Sequence, residues 1–169
     1  MTKLQFRLAA SVILICLPAT VVVGQKPAGN GEVLRPVSVR TDLYPAEADA
    51  TKEIQDALKS ATNDNKRVIL VFGGNWCYDC HVLDLALHEG DAGEIVKQHF
   101  LLVHVDIGEG NKNLDLVEKY KTTLDKGVPT VVILDPNGHV IYSSTNGEFE
   151  PARSMLKKDL VAFLNHWKP

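Results

Sequence analysis

Two short runs that are apolar at nearly every position, 67–72 (RVILVF) and 100–106 (FLLVHVD), constrain this chain more than any other feature. Strands exposed on one face alternate apolar and polar residues, so unbroken runs belong to strands covered on both faces. Between the runs the spacing becomes helical. Val82, Leu83, Leu85, Ala86 and Leu87 carry a helix from Tyr78 to about Glu89, and a second helical piece spans 91–99. Strand, helix, strand is the pattern of a parallel pair joined by a crossover. A third run, 131–134, follows Val128-Pro129-Thr130, and the turn Asp135-Pro136-Asn137-Gly138 returns the chain as a strand over 139–143.

Helical spacing also surrounds these strands. Ala50, Ile54, Ala57, Leu58 and Ala61 predict an amphipathic helix over 46–63, and 114–120 reads as a short helix after the polar loop 108–113. Met155, Leu156, Leu160, Phe163 and Leu164 form the apolar face of a closing helix over 151–167. The order predicts an α/β fold, a three-layer sandwich in which helices flank a central mixed β-sheet and the late hairpin adds antiparallel strands to one edge.

The N-terminus reads differently. Lys3 and Arg7 precede an uncharged stretch over 8–23, with Val22 and Gly24 suited to a cut after Gly24. The stretch falls short of the ~20 residues that cross a bilayer comfortably, and its layout is that of a secretory signal peptide. An uncleaved membrane anchor is the alternative. Residues 25–46 are rich in Gly, Pro and polar groups and read as a tether or an irregular extension. The expected organisation is therefore a signal peptide over 1–24, an extension or linker over 25–46 and one domain over 47–169, exported to a bacterial periplasm or beyond. The formal net charge of -3 supplies no basic stripe for a nucleic acid.

Export alters the cysteine count. Of Cys16, Cys77 and Cys80, the first leaves with the signal, and one Cys-x-x-Cys pair remains. In an oxidising compartment such a close pair is a candidate redox couple, with a static local disulfide as the alternative. Cys77 falls where a buried strand passes into a helix, facing backbone N–H groups that favour a thiolate. Cys80 lies one turn on, within reach of it. Cys77 can attack a disulfide and Cys80 can displace the mixed disulfide that results.

These residues resemble the thioredoxin superfamily. The likeness rests on the strand 68–72, Trp76-Cys77-Tyr78-Asp79-Cys80, Val128-Pro129-Thr130 and the Asn137-Gly138 turn, and covers roughly 47–169. It implies a thiol–disulfide oxidoreductase with Cys77 and Cys80 as the catalytic pair. It also implies a cis Pro129 beside the sulfurs, a Val128 backbone offered to the substrate as a strand edge, and Trp76 covering one side of the disulfide. Tyr78, Asp79 and Thr130 complete the residues expected to shape the site. The chemistry implies protein thiols and disulfides as substrates, an upstream redox partner, a monomer, and no metal or other cofactor.

Two departures bear on function. Thioredoxins carry a buried acid six positions before the first cysteine, where this chain has Val71, and Tyr78-Asp79 replaces Gly-Pro. The Asp79 charge is expected to oppose a thiolate at Cys77 and hold its pKa up. That makes the couple less oxidising and points to a reductase in the cell envelope.

Other readings use the same letters. Cys77 to His81 spell Cys-x-x-Cys-His, the attachment signature of a c-type haem, although the motif sits between strand and helix and Met155 is the one methionine left after the leader. Zinc held by the cysteines with His81 and His88 would be strained, because His81 directly follows Cys80. His81 itself reads as a partly exposed helix-start histidine or a charge that tunes Cys80. A redox-inactive binding module on the same fold is the remaining class.

Overall fold

The structure, a computed structural model, describes residues 31–35 and 37–169. The expected leader, Cys16 included, and residues 25–30 and 36 of the expected extension lie outside the described residues.

The first apolar run becomes strand β1 (Arg67–Gly73), buried at every position after Arg67. Successive side chains of a strand point to opposite faces. Val68, Leu70 and Phe72 meet helix α1 (Ala50–Asp64) through Ala50, Ile54 and Ala61. Ile69 and Val71 meet helices α2 (Tyr78–His88) and α3 (Gly90–His99) and the C-terminal helix α5 (Lys157–Trp167). Each large aliphatic side chain fully removed from water contributes about 1.5–3 kcal/mol, so β1 anchors both layers.

The second run is β2 (Phe100–Asp106), parallel to β1 with Arg67 opposite Phe100 and Gly73 opposite Asp106. A short helix α4 (Leu114–Lys119) precedes β3 (Thr130–Leu134) and β4 (Val140–Ser143). The sheet order is β2-β1-β3-β4, with β3 antiparallel to both β1 and β4. This is the mixed α/β sandwich that the element order predicts. One register pair does most to position the cysteines' surroundings. Phe72 opposite Thr130 brings the chain just before β3 to the end of β1 that leads into the cysteine motif.

Element boundaries differ where side chains or neighbouring chain take the backbone groups. Helix α1 begins at Ala50, not 46, because Asp49 caps it by accepting the Lys52 N–H at 3.0 Å. The closing helix expected over 151–167 is two pieces, a 3-10 turn (Ala152–Ser154) and α5, with Met155 and Leu156 extended between them. The N-terminal segment causes the break. Leu34 donates to the Met155 carbonyl at 2.9 Å, Lys157 donates to the Glu32 carbonyl at 2.7 Å, and Val33 bridges Leu156.

The sequence reads the same segment as a tether or an irregular extension. Its described part is irregular but docked, with Leu34, Leu43 and Tyr44 buried. At the other end of the domain, Trp167 packs against Tyr142 with ring centroids 5.3 Å apart, as part of the core's aromatic edge. Among the described residues no helix is long and apolar enough to cross a membrane.

Candidate active site

Gly73-Gly74 ends β1, and the chain turns through Asn75 and Trp76 into α2. Cys77 N–H donates to the Gly74 carbonyl at 3.0 Å, closing the turn. Cys77 is the N-cap of α2: its Sγ accepts the Cys80 N–H at 3.1 Å, the place a Ser or Asp oxygen usually fills. A sulfur there faces unsatisfied N–H groups and the positive end of the helix, and both favour a thiolate.

Cys77 and Cys80 are joined in a disulfide with Cα atoms 5.3 Å apart. Cys80 is completely buried, while Cys77 keeps 5% of its surface, so attack from outside falls on Cys77. The Val128 carbonyl lies 3.6 Å from Cys77 Sγ, the Val128–Pro129 peptide is cis, and Pro129 is buried. Register explains the meeting, since Thr130 sits opposite Phe72 and places Val128 beside the turn.

The other residues predicted for the site divide. Trp76 is half exposed, with its Nε1–H donating to the Gly108 carbonyl at 2.7 Å. It is therefore an apolar surface at the mouth and not core. Tyr78 leans on the first core layer and carries the Arg153 guanidinium over its ring, 4.7 Å from the centroid. Thr130 is buried, and its hydroxyl is spent on Thr122 and Ser144, which tie β3 to the chain beyond β4. It shapes the strand and presents nothing outward.

Asp79 requires a correction. Its carboxylate does not face Cys77 as an uncompensated charge. It accepts the Arg153 backbone N–H at 2.7 Å, Arg153 Nε at 3.1 and 3.0 Å, and an Arg153 Nη2 bond as well. Burial raises the Asp79 carboxyl, but the Arg153 hydrogen bonds and charge outweigh it and leave the pKa below the ordinary value. The charge expected to oppose a Cys77 thiolate is thus paired with a residue 74 positions away.

The histidines also find other partners. His81 is buried, not partly exposed, because its Nε2 bonds the Asn75 carbonyl at 2.9 Å and must carry the proton there. His88 Nδ1 lies 3.2 Å from Asp84 Oδ1, on the opposite end of α2 from the cysteines. Neither reaches toward the sulfurs as a zinc set would require.

Behind the disulfide stands a group that sequence reasoning overlooked. Tyr44, Leu43, Cys77 and Cys80 form one buried cluster with Val128 against it. Asn75 holds Tyr44 there by accepting its N–H at 2.9 Å and donating to the Tyr44 and Thr41 carbonyls at 2.8 and 2.9 Å. The ring meets His104 edge-on at 5.3 Å. His104 Nε2 is 3.2 Å from Asp84 Oδ1, close enough for an ion pair but poorly aligned for a hydrogen bond. The available signal was Leu43-Tyr44 itself, a large apolar pair inside a polar stretch that a plain tether has no use for.

Comparison with known proteins agrees with this geometry. A family model described as thioredoxin-like matches residues 49–136. A disulphide isomerase from Xylella fastidiosa Temecula1 shares 32% identity over 76% of this chain and 98% of its own, with a TM-score of 0.68. The oxidised C-terminal domain of Neisseria meningitidis DsbD has 14% identity, covering 70% of this chain and 96% of its own, with a TM-score of 0.51. A thioredoxin from Thermus thermophilus has 17% identity, 66% and 81% coverage and a TM-score of 0.50. These last two are likenesses of fold. No curated protein matches the chain by sequence.

Proposed function

From the premise that this chain belongs to the thioredoxin-like family and is a thiol–disulfide oxidoreductase, we propose that it reduces protein disulfides in the cell envelope. Cys77 is the nucleophile and Cys80 the resolving thiol. The observation that carries the reading is their unequal placement, since only Cys77 has surface to meet a substrate while Cys80 is buried within bonding reach. Cys77 thiolate attacks the substrate disulfide and one substrate sulfur leaves. Cys80 then attacks Cys77, and the second sulfur leaves with the pair of electrons. Both electrons come from the cysteine pair, so the cycle needs no prosthetic group. It does need a partner protein that reduces the pair again.

Val128 and Pro129 border the sulfur and offer the backbone edge on which a substrate peptide lies, with Trp76 and Tyr78 as its apolar sides. The reducing direction is supported by how modestly a Cys77 thiolate is stabilised. It gains the Cys80 N–H and the helix end, whereas Arg153 is paired with Asp79. A couple is strongly oxidising when its reduced form is strongly stabilised. Export is supported by the layout of residues 1–24, and the monomer and the absence of a metal belong to the same proposal.

A redox titration against glutathione or dithiothreitol tests the reading. A reversible two-electron couple near roughly -270 mV supports a reductase, and one near roughly -120 mV makes the protein an oxidant. A haem absorption band, or no titratable couple, ends the proposal. A second reading, isomerisation, is favoured by the name of the Xylella protein. Shuffling can proceed through Cys77 alone, so Cys80→Ser separates the two. A reductase variant accumulates mixed disulfides and loses net turnover, while an isomerase variant still rearranges a scrambled disulfide substrate. Cell fractionation, with the N-terminus of the recovered protein sequenced, tests export.

A further inference from the structure

Two observations converge on the inner side of the disulfide. The Tyr44 hydroxyl is fully buried and has no hydrogen-bond partner among the described residues. A Cβ on Gly73 would sit 2.5 Å from Tyr44 Oη and also 2.5 Å from Cys80 Sγ, so the two atoms lie within twice that distance of each other.

An orphaned buried hydroxyl carries a desolvation cost, and such groups in folded proteins ask for an explanation. The pairing with His104 does not supply one, because that contact is ring edge against ring. The Asn75 clamp grips only the Tyr44 backbone. The oxygen packs into the gap at Gly73 beside Cys80 Sγ, yet no group there bonds it.

Resting on the reductase reading, we infer that Tyr44 is the hydrogen-bond donor to the Cys80 thiolate. In the disulfide its hydroxyl waits unpaired. When the S–S bond opens, Cys80 Sγ can carry charge and becomes a much stronger acceptor beside it, and the hydroxyl gains its partner. Burial, with the Asp84 and Asp106 charges adding to it, pushes the phenol far above its ordinary value, so it stays protonated and acts as a donor.

Cys77 thiolate forms a bond to one sulfur of the substrate disulfide, that disulfide breaks, and the first substrate thiolate leaves and takes the Cys80 proton. Tyr44 Oη–H steadies the charge left on Cys80 Sγ. Cys80 Sγ then bonds to Cys77 Sγ, the bond from Cys77 to the substrate breaks, and the second substrate thiolate leaves with that electron pair and is protonated by water. The hydroxyl therefore favours the reduced form and speeds resolution, so the native couple lies at a less negative potential than the scaffold alone would set.

The test compares the full wild-type chain with Tyr44→Phe, which keeps the ring and its packing. Three quantities are measured: the equilibrium with glutathione, the rate at which a preformed Cys77–glutathione mixed disulfide releases glutathione, and the thermal midpoints of the oxidised and reduced forms. The expected result is an equilibrium constant about tenfold further toward the disulfide, about 30 mV more negative, with glutathione release about tenfold slower. The oxidised form keeps or raises its midpoint, because an unpaired polar atom has gone, while the reduced form loses stability. Equal loss in both forms with an unmoved potential and release rate would assign Tyr44 a packing role and overturn the inference. A wild type with no titratable couple sinks the reductase reading and this inference together. A normal wild-type couple that Tyr44→Phe leaves unmoved sinks the inference alone.

Discussion

The two sides of the Cys77–Cys80 disulfide are built by different means. The outer side consists of Trp76, Tyr78 and the Val128–Pro129 edge, partly open to solvent and held by single contacts such as the Trp76 bond to the Gly108 carbonyl. The inner side is closed. Gly73 leaves a gap that Tyr44 and Cys80 fill together, and Asn75 uses all its amide groups to keep Tyr44 in place. On the proposed reading the outer face meets the substrate, whereas the inner face sets the energy of the sulfur chemistry. A change on the inner side should therefore appear in potential and stability, and one on the outer side in substrate use.

The largest break should come from Asn75→Ala. It removes three hydrogen bonds at once, and at about 1 kcal/mol each the loss is about 2–3 kcal/mol. Denaturant unfolding should register it, and the potential should move the same way as in Tyr44→Phe because Tyr44 is no longer held. A potential that stays put while stability falls would mean the inner side does not govern the chemistry.

Gly73→Ala sharpens the same side. Its Cβ would meet Cys80 Sγ and Tyr44 Oη at 2.5 Å, too close for either to remain in place. Overpacking of this kind costs about 1–3 kcal/mol and should lower the thermal midpoint by several degrees. An unchanged midpoint would show that the gap can widen freely.

Arg153→Met tests the boundary between the sides. Asp79 loses the partner that holds its carboxyl below the ordinary value, and its charge is left facing the motif. Exchange at neutral pH should slow several-fold, and a Cys77 pKa measured by thiol alkylation should rise. The pH profile has a definite sign. In the wild type a depressed carboxyl contributes stability that is complete above the unfolded value near ~3.9 and fades as pH falls through the lower folded value. The variant lacks that contribution, so the two proteins should differ most near neutrality and converge in acid. A constant gap across that range would remove the pair from the account.

Trp76→Ala should have the smallest effect and the most selective. Reduction of a protein disulfide should weaken two- to five-fold, on the order of the 0.5–1 kcal/mol that one exposed aromatic contact supplies. Reaction with glutathione disulfide and the potential should stay level. A shift in the potential would mean that the outer side also tunes the sulfurs.

The parts legible in the sequence were those whose signal is local. Residues 67–72 and 100–106 are strands as expected, but only the first is buried throughout; the second lies at the sheet edge, where Leu101, Leu102, His104 and Asp106 stay partly exposed because no further strand covers them. The Cys77–Cys80 spacing placed both sulfurs on one helix turn whatever else surrounded them. Errors gathered where a distant group intervened. The helix expected over 151–167 is split by Leu34 and Lys157 hydrogen bonds to which periodicity is blind. The Asp79 charge is expected to act on Cys77 but is paired with Arg153, and His81, expected to be partly exposed, is buried with its ring on the Asn75 carbonyl.

The sequence by itself determined the layer order, the strand–cysteine–helix junction and the pair of sulfurs, because hydrophobic periodicity and turn chemistry act over a few residues. Only the tertiary structure decided what those sulfurs face. The antiparallel docking of β3 brought Val128 to Cys77, and the docking of an irregular N-terminal segment brought Tyr44 behind Cys80. Both depend on contacts between residues far apart in the chain. The charge and hydrogen-bonding capacity of a buried site are set by such neighbours in space, and spacing along a sequence does not encode them.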